Sequence, residues 1–303
     1  MDFGGLISNL PSKSMPLQAI YTYELSGLWK SWLIRAWLIA TMLVTFLIVT
    51  TNWATTPTAP LVAMLLFPYL VFPWFLVVLL LGLNPVTGSR LEALSDGILS
   101  RPVTRLEYLL ASWAARVTAA LAVLFVVIVP AVLIVSLADR PASADDPVTF
   151  YGVVASLAVV AIVITFLVSI GFFAGTAFRS SMFAVAALIL IWMPVNLVLH
   201  TFSLEEFSPI SLNQSLPTLL RTPWHMDETV AAVNLPGSED MQAAADFFSA
   251  LTGGSPATVK KDPEFYNQGD YEDFSLVRVV MGYGLPTLAA LVCTTFLFYQ
   301  RDL

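Results

Sequence analysis

His225 stands in the run WHMDE, where an imidazole, a thioether and a carboxylate follow one another in the chain. These are donor types that copper or zinc accepts. The only other histidine is His200, and a lone imidazole is more often a solvated or capping group than a metal ligand. Residues 253–261, GGSPATVKK, carry the glycine and lysine of a phosphate-cradling loop without its spacing. Cys293 is the only cysteine, so neither a disulfide nor a thiolate metal site forms within one chain. G-x-S-x-G, H-E-x-x-H and C-x-x-C do not occur. No catalytic constellation, cofactor site or metal site is expected from these residues.

The elements that hold them explain why. Of 303 residues, 57% are hydrophobic and 12% charged, against about 25% charged in an ordinary soluble domain. A bilayer core about 30 Å thick is crossed by roughly 20 apolar residues in a helix. Six runs are apolar enough: 36–53, 61–83, 109–137, 152–178, 182–199 and 279–299. They are continuous, not alternating, which selects helices over a barrel. The fold class expected is an all-α polytopic membrane protein with six transmembrane helices. None of the six runs contains Asp, Glu or Lys; Arg35, Arg116 and Arg278 fall near span ends, where long side chains reach the interface. Ion-coupled pumps place ionisable groups at mid-bilayer, so this pattern argues against proton-coupled transport, a voltage sensor and an intramembrane hydrolase.

Charge also orients the chain. Lys13, Lys30, Arg35, Arg90, Arg101, Arg105, Arg116, Arg179 and Arg301, nine of fourteen basic residues, fall on one side of the expected spans. The short links on the other side are uncharged (54–60) or acidic (ADRPASADDP). The positive-inside rule therefore expects both termini in the cytoplasm. No cleavable signal peptide is expected in the first 30 residues, and the first span is expected to act as its own insertion signal.

Residues 1–35 are expected to hold an amphipathic helix, cytoplasmic or interfacial. Leu17, Ile20, Tyr21, Leu25, Leu28, Trp29 and Trp32 share one face, and Gly27 and Ser31 permit a bend. Residues 36–199 hold the first five spans, and 278–303 the sixth with its tail. Pro68 and Pro73 in span two, and Pro130 in span three, are expected to kink their helices, whether as static bends or as part of a pathway. GFFAG in span four places Gly171 and Gly175 four apart, a spacing that lets helices approach closely within or between chains. Between spans five and six, 200–277 is expected to form an extracytoplasmic cap: a short helix over 238–254, with six prolines leaving the rest irregular or in short helical pieces.

The segment 88–108 is the most specific. Leu91, Leu94, Ile98 and Leu99 share one face of a short amphipathic helix, with Arg90, Glu92 and Asp96 turned away. Pro102 stops it beyond Arg101, and Thr104 with Glu107 at its third position has capping-box spacing for a helix that runs into span three. Such a transverse helix suits either a soluble partner or anionic lipid.

Here the sequence resembles the permeases of type-2 ATP-binding-cassette (ABC) exporters. They carry an acidic residue, a glycine, a leucine-rich patch and Pro-Val/Ile-Ser/Thr-Arg between spans two and three. In this chain the pattern is Glu92, Gly97, Ile98-Leu99 and Pro102-Val103-Thr104-Arg105, and the tail FLFYQRDL is similar to theirs. The resemblance implies a coupling helix over 91–101, seated in a groove of a separate cytoplasmic ABC ATPase. Glu92, Arg101 and Arg105 would anchor it by charge-assisted hydrogen bonds, and Leu94, Ile98 and Leu99 by apolar contact. It also implies a second permease copy, a bacterial or archaeal cell membrane, an extracytoplasmic partner for some members, and no nucleic acid. The competing expectation is a membrane scaffold whose outer loop binds a partner without transport.

Overall fold

The computed structural model describes residues 15–83, 104–142, 146, 148–178, 180–201, 207–221 and 275–300. Among them every regular element is helical. Helix α1 (Met15–Lys30) ends at Ser31, and α2 (Trp32–Asn52) begins directly after it. The corner is tied by the Ser31 N–H donating to the Leu28 carbonyl (3.0 Å) and by Arg35 Nε donating to the Trp29 carbonyl (3.2 Å). Span two consists of α3 (Thr58–Leu70) and α4 (Trp74–Leu83). Pro68 stays inside α3, whereas the helix is broken just before Trp74, where Pro73 brings no backbone donor.

Span three runs as α5 (Arg105–Val123), a π turn (Leu124–Ile128) and α6 (Val129–Leu137). Pro130 accounts for the wide turn. It has no N–H to give the Val126 carbonyl, and its ring crowds that oxygen. The Val129 N–H donates to the Leu124 carbonyl, five residues back. Then follow α7 (Phe150–Ala177), α8 (Ser181–Thr201), α9 (Pro209–Arg221) and α10 (Leu276–Gln300).

Five described segments are long and apolar enough to cross a membrane: Trp32–Asn52, Thr58–Leu83, Leu106–Leu137, Phe150–Ala177 and Leu276–Phe298. In α8 the apolar stretch Met182–Asn196 is shorter, although the whole helix of 21 residues is about 30 Å long.

Helix α7 is the axis of the bundle. It packs on α4, α10, α9 and α5, and it buries Val160, Val163, Ile164, Leu167 and Val168 completely. Its contact with α4 is backbone to backbone. A Cβ at Gly175 would come within 2.5 Å of the Leu83 carbonyl oxygen, and one at Gly82 within 2.5 Å of the Val168 oxygen. A Cβ at Gly171 would run into the Leu79 oxygen. The small residues of GFFAG thus meet α4 inside the chain, and Gly82 completes the approach from the other side. Edge-on aromatic contact joins Phe166 of α7 to Tyr283 of α10 (5.4 Å between centroids). Helices α2 and α10 lie at the periphery, where Met42, Phe46, Leu288 and Phe296 face outward as lipid requires.

The expected cap helix over 238–254 lies outside the described residues. What is described of that connection is α9, wedged between α3 and α7. Leu212, Leu216, Leu219 and Leu220 recur at helical spacing and are buried there. Buried Asn213 donates Nδ2 to the Ala63 carbonyl (3.0 Å).

Candidate coupling junction

The residues read as an ATPase contact, Leu91, Glu92, Leu94, Ile98, Leu99, Arg101 and Pro102, lie outside the described residues. Arg105 opens α5, whose start has the spacing-predicted form. The Glu107 N–H donates to Thr104 Oγ1 (3.2 Å), and the Thr104 N–H donates to Glu107 Oε2 (2.9 Å). This reciprocal cap fixes where the helix begins. Thr104→Ala removes its side-chain half and should cost about 1 kcal/mol. The loss would be read as a lower melting temperature in detergent that Thr104→Ser does not show.

From that start, α5 is fixed to α1, α7 and α10, besides α4, at the end of the bundle where α2 begins and α10 ends, the base. Toward α1, Tyr21 OH donates to Thr118 Oγ1 (3.0 Å), and Arg116 lies 3.6 Å from the Glu24 carboxylate. Arg116 also donates to the Ser112 carbonyl (2.7 Å) and Oγ, and its guanidinium lies over the Phe172 ring of α7 (5.8 Å). Trp113 Nε1 donates to Ser169 Oγ of α7 (2.9 Å). Leu109 packs with Phe172 and with Phe298 of α10. The start of span three is thus the meeting point of α1, α7 and α10.

The face of α1 that meets α5 is nearly the apolar face read from the sequence. Ile20, Tyr21, Leu25, Leu28 and Trp29 are half-buried, while Leu17 and Trp32 are exposed. Sequence reasoning missed Glu24, which sits in the middle of that face. It also let Arg116 reach toward the interface, whereas its side chain is only 3% exposed. The signal was available: a carboxylate on an apolar stripe calls for a cation, and Arg116 is the only basic residue inside an apolar run.

A second charged cluster closes the opposite end, also missed. Asp146, in the link after span three, accepts from Arg221 Nε at one oxygen (2.7 Å) and from the Ala59 N–H at the other (2.7 Å). It therefore caps α3 and ties down the C-terminus of α9 at once. Arg140 donates to the Trp53 and Thr56 carbonyls (3.2 Å each) and to Thr58 Oγ1 (2.9 Å), and lies over the Trp53 ring (5.6 Å). Burial pulls the Arg140 pKa down, and the nearby Asp146 charge opposes the shift. The Thr149 N–H and Oγ1 both donate to the Leu220 carbonyl, and Thr149 caps α7 through the Gly152 N–H. The clue was Arg140 itself, a basic residue flush with a span on the side where the positive-inside rule disfavours one.

The apolar groove between α7 and α10, about 360 Å³, is lined by residues such as Ile162, Val280, Met281 and Leu285. Its two hydroxyls, Thr165 and Thr287, both donate to carbonyls of their own helices. Among the described residues no group of three or more His, Cys, Asp or Glu is placed to hold a metal ion.

Bundle, broken second span and junction together define an all-α polytopic membrane protein. A family model described as ABC-2 family transporter protein matches residues 96–303, more than half of the chain. The chain belongs to that family and is a transmembrane component of an ABC transporter. A comparison with curated proteins finds no match.

Proposed function

We propose that the chain is the non-catalytic permease subunit of an ATP-driven exporter, moved by a separate cytoplasmic ATPase. The observation that supports this most is the junction at the base. The helix following Pro102-Val103-Thr104-Arg105 starts at a fixed cap and, between Leu109 and Thr118, is bound to α1, α7 and α10. A push on the segment 91–101 is thereby distributed to α1 and to the fourth and last spans. In this reading α8 is the remaining crossing, both termini are cytoplasmic, and two copies face one another across the translocation path. Glu92, Arg101 and Arg105 hold the ATPase by charge, and Leu91, Leu94, Ile98 and Leu99 by apolar contact.

The test is co-purification. The tagged chain taken from its native membrane should bring an ATPase with it, and Leu94→Asp with Ile98→Asp should remove the ATPase while membrane insertion is unchanged. A complex that survives both substitutions would remove the coupling segment from the interface. A chain that never carries an ATPase would favour the scaffold instead.

A further inference from the structure

Span three is anchored at both ends to different parts of the molecule. Its base arm, α5, is held to α1 by Tyr21–Thr118 and Glu24–Arg116. Its other end continues past α6 into Arg140, whose three hydrogen bonds bind it to the link between spans one and two. Between the arms lies the π turn Leu124–Ile128. Its geometry is the weakest part of the helical ladder, because Pro130 blocks the ordinary α-type bond to the Val126 carbonyl. One side of the turn, Leu124, Val127 and Ile128, is buried, while Phe125 and Val126 are about half-exposed. Bending toward the exposed side displaces lipid and not packed protein.

We propose that this π turn is the flexing point of span three. The base arm swings with the ATPase-facing segment and carries α1 with it, while the opposite arm stays clamped by Arg140. The driving force in this scheme rests on the permease reading above; the flexing point rests on the turn and the two anchors. A π turn is an α-helix with one residue inserted. Deleting Val126 in a Pro130→Ala background therefore restores a regular helix while leaving the faces of both arms nearly in place. Pro130→Ala alone, which returns the missing donor, is a milder route to the same end.

The experiment measures spin-label distances in the purified complex with its ATPase, in a Cys293→Ser background, with labelled copies diluted in unlabelled ones. One pair, Leu110→Cys and Met182→Cys, reports the base. The other, Leu137→Cys and Val198→Cys, reports the opposite end; all four positions are exposed. On trapping ATP, the base pair should shift by several ångströms and the opposite pair should not. In the Val126 deletion with Pro130→Ala, or in Pro130→Ala alone, the base shift should be largely lost, with the ATPase still bound. Equal shifts of both pairs, no shift in a complex that hydrolyses ATP, or a full base shift in a folded variant would each overturn the flexing point. Those results would leave the permease reading standing, whereas absence of an ATPase from the purified material would remove that reading first.

Discussion

Asp146→Ala should lower the stability of the bundle by about 3–5 kcal/mol, the range for removing one partner of a buried ion pair. The Asp146 side chain is only 5% exposed and uses both oxygens, one for Arg221 and one for the Ala59 N–H. Its removal strands a helix N-terminus, frees the end of α9, and takes from Arg140 the anion that offsets its burial. Arg221→Met should cost less, because the Asp146 carboxylate it leaves behind, though only 5% exposed, keeps its bond from the Ala59 N–H and the nearby Arg140 charge. Exchanging the charges, Asp146→Arg with Arg221→Asp, should not rescue. The Ala59 N–H still needs an acceptor, and Arg140 would then face a second cation. Thermal unfolding in detergent ranks the three variants. If Asp146→Ala melts with the wild type, or if the exchange restores it, the cluster is a solvent-screened surface pair and not a clamp.

The sequence carried the local features well and the distant pairings poorly. Continuous apolar runs place the helices, since a bilayer permits little else, and the Thr104–Glu107 cap and the breaks at Ser31 and Pro73 depend on neighbouring residues alone. Contacts such as Ala59–Asp146 and Thr149–Leu220 join residues 87 and 71 positions apart, and no local pattern specifies which ends meet. Helix α9 was legible but obscured. PISLNQSLPTLLR spaces its leucines for one helical face, and Pro209 sits where a helix start tolerates proline, but proline density left irregular chain and short helical pieces equally open there. Pro130 announced a disturbance in span three. The structure shows the disturbance as a π turn just ahead of that proline, where the Val129 N–H reaches the Leu124 carbonyl.

The buried pair at the base makes the opposite kind of test, because here the double change should be milder than one of the single changes. Glu24→Leu leaves the Arg116 guanidinium, 3% exposed, without its carboxylate, and should cost about 3 kcal/mol. Its remaining contacts with Ser112 and the Phe172 face limit the loss but do not neutralise the charge. Arg116→Met leaves behind a carboxylate whose side chain is 19% exposed and can still reach water, so about 1–2 kcal/mol is expected. Glu24→Leu combined with Arg116→Met removes both charges and keeps apolar volume on both helices, so the net change should be under about 1 kcal/mol. Melting temperatures of the two single variants and the double variant, measured in one detergent, complete the cycle. Strictly additive losses would show that Glu24 and Arg116 act on separate neighbours, and α1 would then be held to span three by Tyr21–Thr118 and apolar contact alone.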